Sequence, residues 1–174
     1  MVTRGAARQA ASMGLLLALA VVLNIAEGML PVLPAMPPGV RLGLSNIVVL
    51  YCVMILGGKE ALTIGLLKSG FVLLTRGAAA GFISFCGGIL SILVMAAVSK
   101  SRKISILWKS ICGAMAHNLG QLLAAALYLK SGMAFYYLPV LLVSAVMMGT
   151  ATAVLTKVMM PALSRIAKKG PHPE

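Results

Sequence analysis

The residues of this chain that could do chemistry are few, and they sit among apolar neighbours. Between Ser110 and Tyr128 a membrane-length apolar run holds the densest cluster of hydrogen-bonding side chains, Ala114-Met115-Ala116-His117-Asn118-Leu119-Gly120-Gln121. Three-and-four spacing puts Ser110, Ala114, His117, Asn118, Gln121, Ala125 and Tyr128 on one side of a helix, with Leu, Met and Ala opposite. An imidazole and two amides inside a bilayer are costly unless they face a protein interior or a watery cavity. The stripe is therefore expected to line whatever the protein binds, although interhelical hydrogen bonds would satisfy the same groups without a ligand. A lone histidine lacks the companions of a metal site, so neither metal nor cofactor is expected.

Lys68 lies at the centre of a second apolar segment. Its stem can snorkel to an interface, or its ammonium can face the cavity and offer a positive charge to an anion. Arg41 and Arg76 would extend that attraction at the mouth, and Asn46 opens the segment before it. Asn24 and Glu27 lie toward the end of the first segment, where they can bind a ligand, pair with Lys68 or Arg41, relay protons, or simply sit at a rim. The candidate binding set is thus Lys68, His117, Asn118, Gln121, Asn46, Asn24, Glu27, Arg41 and Arg76, with no catalytic residue in it.

What is missing excludes whole reaction classes. The sequence has no Asp, and its only acids are Glu27, Glu60 and Glu174. A magnesium-dependent prenyl synthase or a phosphate-loop ATPase needs carboxylates for its metal. Gly58-Lys59-Glu60 lacks the earlier glycine and the Ser/Thr of a phosphate loop. The chain is read as non-catalytic, with any energy supplied by a partner or an ion gradient.

The elements that must position these residues are membrane helices. Of 174 residues 60% are hydrophobic and 10% charged, and the mean hydropathy is +1.02. A water-soluble domain has about half apolar and about a quarter charged residues. The apolar runs are helix-like in length and lack the short alternation of an outer-membrane barrel. Six segments follow: about 9–30, 44–57, 61–75, 78–98, 110–128 and 140–160. The second and third are short for a hydrocarbon core of about 30 Å, so a re-entrant hairpin is an alternative for that pair. Residues 1–170 read as one helical domain and 171–174 as a short polar tail. Cys52, Cys86 and Cys112 fall inside apolar runs and are read as small fillers.

The net charge of +12 would suggest nucleic-acid binding in a soluble chain. Here the distribution explains it. With the N-terminus inside, eleven basic residues are cytoplasmic and three, Arg41, Arg76 and Lys130, are outside, which favours six spans with both ends cytoplasmic. The expected location is the cell membrane, multi-pass, with the lipid bilayer and a small molecule as partners and no nucleic acid. Tyr128, Tyr136 and Tyr137 then fall at the outer interface, where an aromatic belt belongs. Pro31, Pro34, Pro37 and Pro38 make the first outer connection a stiff, lid-like loop. Ala6, Ala10, Gly14 and Ala18 recur every four residues, a small-residue stripe suited either to packing within the chain or to a partner helix. The glycines and serines of Ser84 to Ser91 permit close backbone contact.

Arg41-Leu42-Gly43-Leu44-Ser45-Asn46-Ile47-Val48, Gly58-Lys59-Glu60-Ala61, Ser84 to Ser91 with Met95, and His117-Asn118-Leu119-Gly120-Gln121 resemble the Gx transporter, or heptaprenyl diphosphate synthase component I, family. The resemblance covers nearly the whole chain. That family is in turn similar to the substrate-binding S components of energy-coupling factor (ECF) transporters. The resemblance implies a six-helix fold with cytoplasmic ends, a first outer loop acting as lid, and Ala-x-x-x-Ala on helix one contacting a transmembrane coupling protein, with separate cytoplasmic ATPases. Ala6 with Ala10 and Ala7 with Ala11 match that spacing. Three functions are carried forward: capture of a small anionic or amphipathic molecule for such a transporter, a non-catalytic accessory role in heptaprenyl diphosphate synthesis, and an ion-coupled carrier using Glu27.

Overall fold

A computed structural model describes residues 4–29, 43–101 and 103–168. Six α-helices carry nearly all of them: α1 (Arg4–Met29), α2 (Asn46–Tyr51), α3 (Gly58–Arg76), α4 (Ala78–Ser99), α5 (Ile106–Leu129) and α6 (Leu138–Lys168). No strand occurs among the described residues. Pro31 to Gly39 and Arg41, expected to form the lid and part of the mouth, lie outside the described residues.

The helices α3, α4, α5 and α6 pack in chain order, each against the next. What they surround is α2. Ile47, Val48, Leu50, Tyr51 and Cys52 are each at most 1% exposed, and α2 touches α1, α3, α4 and α6. The segment continues as a π-helical stretch, Cys52–Leu56, before Gly57 turns the chain. Eleven residues, Asn46–Leu56, rise only ~16 Å at helical pitch. From Ile47 to Val53 this segment is the plug of the bundle, with buried apolar side chains on every face, and beyond it Ile55 is exposed. The α3 segment, by contrast, has 19 residues and rises ~28 Å, close to a hydrocarbon thickness.

Close approach of α4 and α5 depends on two glycines. A Cβ on Gly87 would lie 2.9 Å from the His117 carbonyl oxygen, and one on Gly120 would lie 2.9 Å from the Cys86 carbonyl oxygen. The backbones therefore touch where the sequence placed its small residues. Gly77 alone joins α3 to α4 at φ +88°, a left-handed conformation that a side chain would strain.

Helix boundaries differ from the sequence reading mainly at the ends. The first helix begins at Arg4, inside the basic lead, because Arg and Ala are strong helix formers. The helix α6 passes through Pro161 to Lys168; one lost hydrogen bond near an end does not stop a long helix. Lys109, counted from sequence among the cytoplasmic basic residues, is buried, because α5 starts at Ile106 and places it a turn inside.

Three helices, Gln9–Met29, Ala78–Ser99 and Phe135–Ala162, are long and apolar enough to cross a bilayer. This is a helical membrane protein. The α5 segment is also long enough, ~36 Å for 24 residues, but its hydropathy is lowered by Lys109, His117, Asn118 and Gln121. Lys68 and the charged ends lower α3 in the same way. Both of these helices contribute residues to the candidate site.

Candidate functional site

Between α1, α2, α3, α4 and α5 lies a cavity of about 310 Å³. Each helix contributes residues at its own periodicity. The α3 wall is Lys68, Val72 and Arg76, two steps of four along one helical face. Ala80, Ile83 and Ser84 share one face of α4 at three-and-four spacing, and His117 and Gln121, four apart, one face of α5. Asn24 and Glu27 close the α1 side, and Gly43, Ser45 and Asn46 enter with the start of α2. Only Val72, Ala80 and Ile83 are apolar. Polar side chains outnumber apolar ones in this lining, inside a hydrophobic bundle.

Lys68 settles between its two readings by burial: 3% exposed, it points inward rather than snorkelling. Its Nζ donates to Asn46 Oδ1 at 2.9 Å and to Ser45 Oγ at 3.2 Å. An ammonium has three donors, so one remains for the cavity. These neutral acceptors hold the charge in place without cancelling it. Arg76, two turns further along α3, donates from one terminal guanidinium nitrogen to Asn24 Oδ1 at 3.1 Å and keeps further donors. Glu27, 6% exposed, is engaged differently from any pairing expected of it. Its two oxygens accept the backbone N–H groups of Gly43 at 2.6 Å and Leu44 at 3.1 Å, and both Lys68 and Arg76 act on it electrostatically. It fastens the chain entering α2 to the end of α1.

On α5 the polar stripe divides. His117 and Gln121 face the cavity, whereas Asn118 donates from Nδ2 to the Leu141 carbonyl oxygen at 3.0 Å and joins α5 to α6. Asn118 instead lines a void of about 20 Å³ with Ser110, Ala114 and Thr152, to which Asn46 and His117 also contribute. That volume suits about one water. Tyr128, at the end of the stripe, is exposed. His117 Nδ1 is buried close against Gly87.

Seven of the nine expected binding residues therefore line one hollow: Lys68, His117, Gln121, Asn46, Asn24, Glu27 and Arg76. Asn118 borders the adjoining void, and Arg41 lies outside the described residues. Sequence reasoning passed over Ser84, Val72, Ala80 and Ile83. Helical spacing forward from Lys68 would have found Val72, but α4 carries no charge to draw attention to its face.

The small-residue stripe of α1 divides from the site. Ala10, Gly14 and Ala18 are exposed, and a Cβ on Gly14 would meet nothing within 4 Å. The side chain of Ala6 lies outside the described residues. Among the described residues, none packs closely on this surface at Ala10, Gly14 or Ala18. Asn24 and Glu27, on another side of the same helix, are buried.

The model of the family described as heptaprenyl diphosphate synthase component I matches residues 16–159. The chain belongs to that family. The matched stretch contains every lining residue of the cavity, from Asn24 to Gln121. No curated protein and no solved structure matches the chain. The family's description names a component of an enzyme, and membership is compatible with a subunit that is not itself catalytic.

Proposed function

We propose that this component I family member is a membrane subunit that captures a small anionic or amphipathic molecule, in the manner of an ECF transporter S component. The observation that carries the reading is a hollow into which nine polar side chains point, with the Lys68 ammonium, 3% exposed, at one end. A buried charge inside a membrane bundle is expensive, and a protein keeps one where a ligand or pathway uses it. Lys68, His117, Gln121 and Asn46 hold the ligand, with Arg76, Asn24 and Glu27 around them. Asn118 supports the site from the neighbouring void, and Arg41 draws anions toward it.

The orientation supports the same reading. The cavity residues lie in the C-terminal halves of α1 and α3, the N-terminal part of α4, and the middle of α5. Of the basic residues assigned to the cytoplasm, Arg4, Arg8, Lys59, Lys100, Lys103 and Lys109 lie at or next to the opposite ends of α1, α3, α4 and α5. By the positive-inside rule the cavity opens outward, six segments enter or cross the cell membrane, and both termini are cytoplasmic. The exposed face of Ala10, Gly14 and Ala18 is then free for a coupling protein that brings ATPase subunits.

The family description favours a second reading, an accessory subunit that assembles with the catalytic component of a heptaprenyl diphosphate synthase. The two readings part on what the full-length chain carries when isolated from its membrane. Capture expects an ATPase-bearing coupling complex, with ligand binding reduced in Lys68→Ala and Gln121→Ala. Undiminished binding in both variants removes the site assignment. Recovery of a prenyl synthase alone, with product length changing when this chain is omitted, replaces capture by the accessory role.

A further inference from the structure

Resting on the capture reading, we propose that the ligand is a compact hydrophilic molecule with one net negative charge, its acidic group seated against Lys68. The proposal narrows "anionic or amphipathic" to one charge and excludes a prenyl chain from the cavity.

The first argument is charge balance. Among the described residues the charged side chains lining the cavity are Lys68, Arg76 and Glu27, which leave one positive charge when the imidazole of His117 is neutral. Water can compensate that charge while the cavity is open, but a ligand that displaces the water must compensate it instead. A neutral ligand leaves the positive charge buried. A dianion places a second negative charge beside Glu27, which already shares both cations. One net negative charge closes the balance.

The second argument is direction. Lys68 commits two donors to Ser45 and Asn46 and has one left, which suits a single acceptor group on the ligand. Gln121 and Ser84 make no hydrogen bond to any described residue, so their donors and acceptors are free for hydroxyl, carbonyl or amide groups along the ligand. A methylene chain in their place would leave these groups unpaired in a buried site, at about 1–3 kcal/mol each.

The third argument is size. Taking ~30 Å³ for each water, the cavity displaces on the order of ten waters, the room of a ligand with on the order of ten to fifteen non-hydrogen atoms. A polyprenyl diphosphate fails on every count: more than one charge, a long apolar tail, and far too many atoms. The apolar cleft on the other side of the α3–α4 seam, lined by Leu66, Leu73, Phe82 and Phe85, lies across close packing of Gly81 on Leu73 and does not extend the cavity.

The test uses the full-length chain in lipid nanodiscs. Polar small molecules extracted from the source cells are separated by anion exchange into neutral, singly charged and multiply charged pools, and a lipid extract forms a fourth pool. Each is scored for thermal stabilisation of the protein, and the active component is identified by mass spectrometry. The singly charged pool is expected to stabilise the wild type, with at least a tenfold loss of apparent affinity in Lys68→Gln. Arg76→Gln, near the mouth and only partly buried, provides a second variant should Lys68→Gln misfold, and is expected to lose severalfold. Stabilisation by the neutral, multiply charged or lipid pool, or equal affinity in wild type and Lys68→Gln, overturns this inference while leaving capture intact. If no pool stabilises the wild type, capture itself fails.

Discussion

Gly87 and Gly88 are adjacent in α4, both buried, and offer a matched pair of substitutions that reads the α4–α5 contact directly. A Cβ on Gly87 would sit 2.6 Å from Gln121 Cγ, 2.9 Å from the His117 carbonyl oxygen and 3.2 Å from His117 Nδ1. On Gly88 the same atom would meet only Ser69 Oγ, at an ordinary 3.8 Å. Replacing Gly by Ala within a helix gains up to about 1 kcal/mol from backbone propensity, and this gain is shared by both variants. The Gln121 side chain can swing aside, but the His117 carbonyl belongs to the α5 backbone, so α5 must move away by several tenths of an ångström. Overpacking of that kind costs about 1–3 kcal/mol. Gly88→Ala is therefore expected to be as stable as wild type or more so, and Gly87→Ala to fall about 1–3 kcal/mol below Gly88→Ala. Reversible unfolding in mixed detergent micelles measures the difference. Ligand binding should weaken in Gly87→Ala as well, because the displaced residues are the two that α5 gives to the cavity. Equal unfolding free energies in the two variants, or a binding loss confined to Gly88→Ala, would refute the placement of His117 and Gln121.

Other perturbations separate the site from its supports. Glu27→Gln presents an amide N–H₂ to one of two backbone donors and should cost about 2 kcal/mol locally, seen as roughly thirtyfold faster amide exchange at Gly43 and Leu44; unchanged exchange would sink the fastening role. Asn118→Leu removes the bond to the Leu141 carbonyl and should lower stability by about 0.6–1.7 kcal/mol while reducing ligand affinity less than Gln121→Leu does. The reverse order of affinities would move Asn118 to the centre of the site. Gly14→Leu, on open surface, is expected to stay within about 0.5 kcal/mol of wild type yet to block recovery of a coupling complex. Normal recovery would remove α1's small stripe from the partner surface.

The chain's residue order already contained its class and most of the polar side chains that line the cavity. Apolar runs of membrane length, the absence of Asp, and the few hydrophilic residues within α3 and α5 are local properties, and they pointed to a non-catalytic helical bundle with Lys68 and His117 inside it. Family membership was legible for the same reason, since His117 to Gln121 and the Ser84 to Ser91 glycines form contiguous motifs. Side-chain partners were not legible. Glu27 had Lys68 and Arg41 as expected cationic partners, and only the folded chain shows its oxygens taken by the N–H groups of Gly43 and Leu44. Asn118 and Gln121 are three residues apart and looked alike in sequence, but about 60° of helical rotation separates them, enough to send one to α6 and the other to the cavity. The short α2 segment looked like a membrane span of doubtful length, and the packing of four helices around it makes it the core. Periodicity along one helix fixes which residues share a face. What that face meets depends on neighbours distant in the chain, and so was decided only by the tertiary structure.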